Sequence, residues 1–113
     1  MKLLAIGDVV GEPGMELIRT ALPELRARYS ADLVVVNGEN AAETGTGITK
    51  GEVRRLFTAG ADVITTGNHS FRKPGWEQLY DETEALLRPH NFMKGIPGTG
   101  VYIFALTVRW RVS

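Results

Sequence analysis

Apolar residues gather into three short runs, and each run stops on polar residues of the kind that bind ions or move protons. Leu3-Leu4-Ala5-Ile6 leads into Gly7-Asp8, Leu33-Val34-Val35-Val36 into Asn37-Gly38-Glu39-Asn40, and Val63-Ile64-Thr65-Thr66 into Gly67-Asn68-His69. Uninterrupted runs of this length, rich in β-branched residues, predict strands buried on both faces. From Met15 to Tyr29 the period changes: Leu17, Ile18, Ala21, Leu22 and Leu25 share one side of a helix, and Arg19, Glu24, Arg26 and Arg28 the other. Gly11-Glu12-Pro13-Gly14 marks the turn before it, with Pro13 suited to the first helical position. Pro23 predicts a kink or a division of the helix. Thr49 and Glu52 have capping-box spacing, so a second helix is expected from about Lys50 to Ala59, ended by Gly60.

The order is therefore β-α-β-α-β, which short right-handed crossovers turn into a parallel sheet with helices packed on it. Past His69 the pattern weakens. Trp76 to Leu87 reads as a helix, Leu87 to Phe92 as a loop or short strand entry, and Gly95 to Gly100 as turns. Val101-Tyr102-Ile103-Phe104 and Leu106-Thr107-Val108 read as strands, and Arg109-Trp110-Arg111-Val112-Ser113 completes a β-rich tail. The expectation is one α/β domain, with a metal-site core at 1–69 and a helix, loop and tail at 70–113.

Parallel strands place their carboxyl ends along one edge, where open α/β sheets bind ligands. Asp8, Glu39, Asn40, Asn68 and His69 would then meet there, although about thirty residues of sequence separate one group from the next. Singly, each has an ordinary role: Asp8 as a helix cap, Glu39-Asn40 as a polar turn, His69 as a loop histidine. Together, two carboxylates, two amides and an imidazole form a ligand set for hard metals and acid–base chemistry. The glycines at 7, 38 and 67 let the backbone bend close to a ligand. Gly45-x-Gly47 lacks the third glycine of a dinucleotide fingerprint, and His90 has no evident partner.

Composition narrows the field. The 113 residues suit a single domain. Thirteen basic and thirteen acidic residues cancel, which argues against a stable nucleic-acid partner or a membrane surface. The absence of cysteine removes disulfides, thiolate metal sites and a cysteine nucleophile. The apolar start is too short for a signal peptide, and no run approaches a membrane span, so a cytoplasmic location is expected.

Four segments carry a family resemblance. Gly7-Asp8-Val9-Val10-Gly11-Glu12-Pro13-Gly14, Asn37-Gly38-Glu39-Asn40-Ala41-Ala42, Thr66-Gly67-Asn68-His69 and Leu87-Arg88-Pro89-x-Asn91 resemble the calcineurin-like metallophosphoesterases. The likeness is to the bacterial branch that hydrolyses 2′,3′-cyclic nucleotides and related phosphodiesters, and it runs to about Gly100. It implies a three-layer α/β/α fold, of which this chain is the N-terminal half, and two metal ions, iron or manganese. By resemblance Asp8 binds the first metal, Glu39 bridges both, Asn40 lies on the first metal's side, Asn68 binds the second, and His69 donates a proton. Val10 stands where the wider superfamily has a histidine, as in this branch. Members of the branch are longer and carry further histidine ligands, whereas this chain has two histidines.

Two functions are therefore expected from the sequence. One is a metal-dependent phosphodiesterase of which this chain carries half the site. The alternative is a non-catalytic α/β module that binds a nucleotide or an ion, or an inactive fragment. An uncovered edge bearing Tyr102, Phe104 and Trp110 would favour self-association into a homo-oligomer.

Overall fold

A computed structural model of the chain describes residues 1–104. Four strands, β1 (Leu3–Ile6), β2 (Leu33–Asn37), β3 (Val63–Thr65) and β4 (Leu86–Leu87), alternate with helices α1 (Gly11–Tyr29), α2 (Lys50–Ala59) and α3 (Trp76–Glu82). The strands are parallel and lie in the order β1-β2-β3-β4. This is the parallel α/β fold the sequence predicts, with one strand more than its three apolar runs.

Register decides which residues are buried. Leu4 pairs with Val34, Ile6 with Val36, Val36 with Ile64, and Ile64 with Leu86, so these side chains share one face. Val34, Val36, Ile64 and Leu86 are fully buried there, in one cluster with Met15, Ile18 and Leu22 of α1 and Val53 and Leu56 of α2. Winding in a single direction with right-handed crossovers sends every helix to the same face. Accordingly α1 packs on α2, and α3 lines a cleft with α2. On the other face Leu3 and Ala5 are exposed and Val35 is half-buried. The described residues thus build two of the three expected layers.

Local chemistry explains most boundaries. Thr49 and Glu52 form the expected capping box at the start of α2, and Gly60 ends that helix at φ 124° with its N–H bonded to Phe57. Three expectations change. Helix α1 begins at Gly11, so Pro13 occupies its first turn without opening it, where N–H groups have no intrahelical acceptor to lose. The helix also continues through Pro23, which lies exposed on the solvent side while Leu22 beside it is fully buried. There the carbonyl that loses its donor faces water. Helix α3 stops at Glu82 because Thr83 is extended, and Leu86–Leu87 join the sheet instead of the helix.

Beyond β4, Thr99 bridges to Leu87 and the Thr99 carbonyl accepts from the Arg88 N–H. Val101–Phe104 form no strand. The expected strand at Leu106–Val108 and the end of the tail, with Trp110, fall outside the described residues. No helix among the described residues is long and apolar enough to cross a membrane.

Candidate active site at the carboxyl edge of the sheet

Backbone bridges tie the three polar segments together before any side chain contributes. The Val9 N–H donates to Asn37 at 3.1 Å, the Gly11 N–H to Asn40 at 2.9 Å, and the Gly38 N–H to Thr65 at 2.9 Å. Each loop that follows a strand is thus fixed to its neighbour. Gly11 adopts φ 59°, a left-handed conformation that suits glycine, and this lets the chain turn from β1 into α1 beside Asn40.

On this frame four of the five expected side chains form one connected group. Asn40 Nδ2 donates to Asp8 Oδ1 at 2.8 Å. Asn40 Oδ1 stands 2.5 Å from His69 Nδ1. A carboxylate only accepts, so the amide must present its NH2 to Asp8 and its oxygen to His69. Nδ1 then carries the proton and Nε2 is left for chemistry. Glu39 lies near the same ring nitrogen, with Oε2 3.9 Å from His69 Nδ1 and accepting from the His69 N–H at 3.4 Å. Asn37 supports Glu39 through its Nδ2 at 3.4 Å. Asn68 lies exposed in the turn between Gly67 and His69.

Gly67 shows how tightly the site is built. A Cβ there would stand 2.5 and 2.7 Å from the two Glu39 oxygens, so the carboxylate occupies the space a side chain would fill. Only glycine lets the turn after β3 pass directly against Glu39. Donor chemistry favours a hard cation: Asp8 and Glu39 supply charged oxygens, the two amides neutral ones, and Asn40 Oδ1 keeps a second lone pair. Among the described residues no three His, Asp or Glu side chains converge into a complete metal-binding group. The rim therefore fits part of a metal centre. A cleft of about 480 Å³ lies away from the rim, between α2 and α3.

Beneath the Asn68–His69 turn lies a hydroxyl cluster that sequence patterning does not single out. Ser70 is buried and its Oγ donates toward Thr66 Oγ1 at 2.8 Å and the Gly67 carbonyl, while Thr66 Oγ1 donates to Leu87 at 2.6 Å. The Tyr80 hydroxyl lies buried beside Thr66 and Ser70 without a hydrogen bond of ordinary geometry. Burial pushes its pKa up from the ordinary tyrosine value, with the two hydroxyls opposing the shift. The available signal was Thr66 and Ser70 flanking the Gly67-Asn68-His69 segment. His90 is exposed, and its backbone packs against Gly100.

Known proteins are similar to this chain over most of its length. A 2′,3′-cyclic-nucleotide 2′-phosphodiesterase from Bacillus subtilis is 42% identical over 101 residues, which cover 89% of this chain and 38% of that protein. A putative phosphatase/phosphodiesterase from Mycoplasma genitalium is 34% identical over 94% of this chain and 39% of its own length. The chain thus spans about two-fifths of these curated relatives. Two crystal structures superpose with TM-scores of 0.82: a hypothetical protein from Thermus thermophilus, 42% identical, and a novel phosphatase from Mycoplasma pneumoniae, 32% identical. They match 90% and 93% of this chain, and 39% of each of theirs. Residues 4–113 also match the family described as YmdB-like protein, so the chain belongs to the YmdB-like family.

Proposed function

We propose that this chain supplies one half of a dinuclear metal site that hydrolyses phosphodiesters such as 2′,3′-cyclic nucleotides. The observation that carries the reading is the Asp8–Asn40–His69 chain beside Glu39, whose carboxylate lies over a bare Gly67. Asp8, Glu39, Asn40 and Asn68 would hold the ions, iron or manganese. When bound, these ions supply Lewis acidity toward the phosphoryl oxygens and toward an attacking water. The chain's own part is proton transfer and orientation. Asn40 holds the imidazole by Nδ1, and the protonated ring gives its Nε2 proton to the departing alkoxide. Bridged between Asp8 and His69, Asn40 also fixes the distance from metal side to acid side.

The test is manganese binding to this chain by calorimetry, with Glu39→Gln as the comparison. Binding that the variant loses supports the reading; unchanged binding overturns it. Turnover is read on the chain joined to the segment that the Bacillus subtilis relative carries beyond the matched region. Hydrolysis of a chromogenic phosphodiester there, removed by Glu39→Gln, is the expected result. This chain alone should stay near background, because its described donors do not complete two coordination spheres.

That incompleteness favours a second reading, a non-catalytic module that binds a nucleotide or ion at the same rim. A joined protein that binds cyclic nucleotide without hydrolysing it would establish this alternative.

A further inference from the structure

We infer that Thr66 and Ser70 are positioning residues: a buried hydroxyl relay from Ser70 through Thr66 to the Leu87 carbonyl ties the Asn68–His69 turn to β4 and sets the direction of the imidazole. Strand pairing between β3 and β4 covers only Ile64–Leu86 and Thr65–Leu87. At Thr66 the backbone leaves the ladder for the turn, and the Thr66 side chain takes over by donating to Leu87 at 2.6 Å. Its one proton is then committed, so its oxygen can only accept, and Ser70 Oγ stands 2.8 Å away to donate. Ser70 closes the turn from within: its single hydroxyl proton is shared between Thr66 Oγ1 and the Gly67 carbonyl, and its N–H bonds the same carbonyl at 3.1 Å. Asn68 and His69 are the residues this loop encloses.

Burial argues that the relay serves more than packing. Ser70 is 2% exposed and is the buried polar residue of the described chain. Burying a hydroxyl without a partner costs about 1–3 kcal/mol, a cost alanine would avoid at this site. Alanine would keep the N–H bond that closes the Gly67–Ser70 loop; the serine hydroxyl adds the link from that loop to Thr66 and so to β4. The loop in turn holds the His69 N–H toward Glu39 and its ring against Asn40. The purpose of that fixed direction rests on the proposed role of His69, but the relay itself does not.

The experiment uses solution NMR of the chain without metal. Thr66→Val keeps the shape and removes the hydroxyl, whereas Thr66→Ser keeps the hydroxyl. In Thr66→Val the Ser70 and His69 amides should exchange about tenfold faster, the loss of roughly one net hydrogen bond. The His69 Nδ1 proton signal, held in the native protein by Asn40, should broaden or move. Ser70→Ala should match it, the double variant should add little, and Thr66→Ser should restore both signals. Tyr80→Phe should leave them in place, because among the described residues the Tyr80 hydroxyl makes no hydrogen bond of ordinary geometry and the relay runs from Ser70 through Thr66 to Leu87 without it. Amides of α1 report whether each variant is folded. Native exchange and an unmoved His69 signal in Thr66→Val would overturn the inference, as would Thr66→Ser behaving like valine. A chain whose manganese binding ignores Glu39→Gln would instead sink the phosphodiesterase reading and leave these measurements intact.

Discussion

Two carboxylates, one near each end of the sheet, are equally exposed and differently treated. Asp62 and Glu39 both have side chains 18% exposed. Asp62, just before β3, accepts from Arg26 Nη1 at 3.0 Å and from the Val34 N–H at 2.8 Å, and Arg26 also donates to the Gly60 carbonyl. Its charge is neutralised within the fold. Glu39, just after β2, has contacts of 3.4 Å from an amide and an N–H and His69 at 3.9 Å, with no lysine or arginine partner among the described residues. The fold carries a cation for one acid and leaves the other to be matched from outside. Burial alone does not separate the two acids; their partners do.

The sharpest way to break this contrast is to neutralise each acid. Glu39→Gln should lower manganese affinity more than a hundredfold, beyond the 10–100-fold typical of outer partners, while the urea midpoint stays or rises slightly. Loss of stability without loss of binding would reverse the assignment. His69→Ala should retain the metal and slow turnover of the joined protein by about 10²–10⁴-fold. Equal loss of metal in both variants would remove His69 from its role as acid. Asp62→Asn should do the opposite of Glu39→Gln. It leaves Arg26 short of its partner and costs about 1–2 kcal/mol, less than a fully buried pair because Arg26 remains partly wetted, with manganese binding unchanged.

Two other groups complete the comparison. Tyr80 is buried without a hydrogen bond of ordinary geometry among the described residues, so Tyr80→Phe should raise stability by about 1 kcal/mol. Its folded pKa is raised, so the native protein should keep its stability below pH 10 and lose some as pH rises through the folded value. The phenylalanine variant should lose that alkaline slope. Glu12 is the reverse, partnered by Arg55 in two hydrogen bonds but fully exposed. The arginine hydrogen bond lowers its pKa from 4.5, so any contribution is present above that pH and fades as pH falls through the folded value. Arg55→Ala should therefore have the smallest effect, visible at low salt and erased at high salt.

The sequence makes the ends of the strands legible because a buried strand and a ligand-bearing loop differ sharply in residue type. Asp8, Glu39 and His69 stand out at such boundaries, as do the Thr49–Glu52 box and Gly60. The missed features depend on long-range geometry. Asn40 as a link between Asp8 and His69 needs contacts 32 and 29 residues apart. Leu86–Leu87 have no strand signal of their own and are recruited by β3. Pro23 lies on the exposed side of α1, where the carbonyl it leaves unpaired can turn to water, and the helix runs on through it. Ser70 looks like a loop residue until its burial is known.

The consecutive order of the strands also bears on how the molecule comes into being. Each strand pairs with the one made just before it, as Leu3 with Leu33, Val35 with Val63 and Ile64 with Leu86. No strand has to wait for a distant segment or thread between two others already joined. A chain emerging from the ribosome can therefore lay the sheet down in one direction, each new strand protecting the open edge left by the last. The rim residues arrive in the same sequence, with Asp8 first, Glu39 and Asn40 next, and Asn68 and His69 last. The acid and the imidazole meet only when the third strand docks, so the half-built protein does not hold the finished rim.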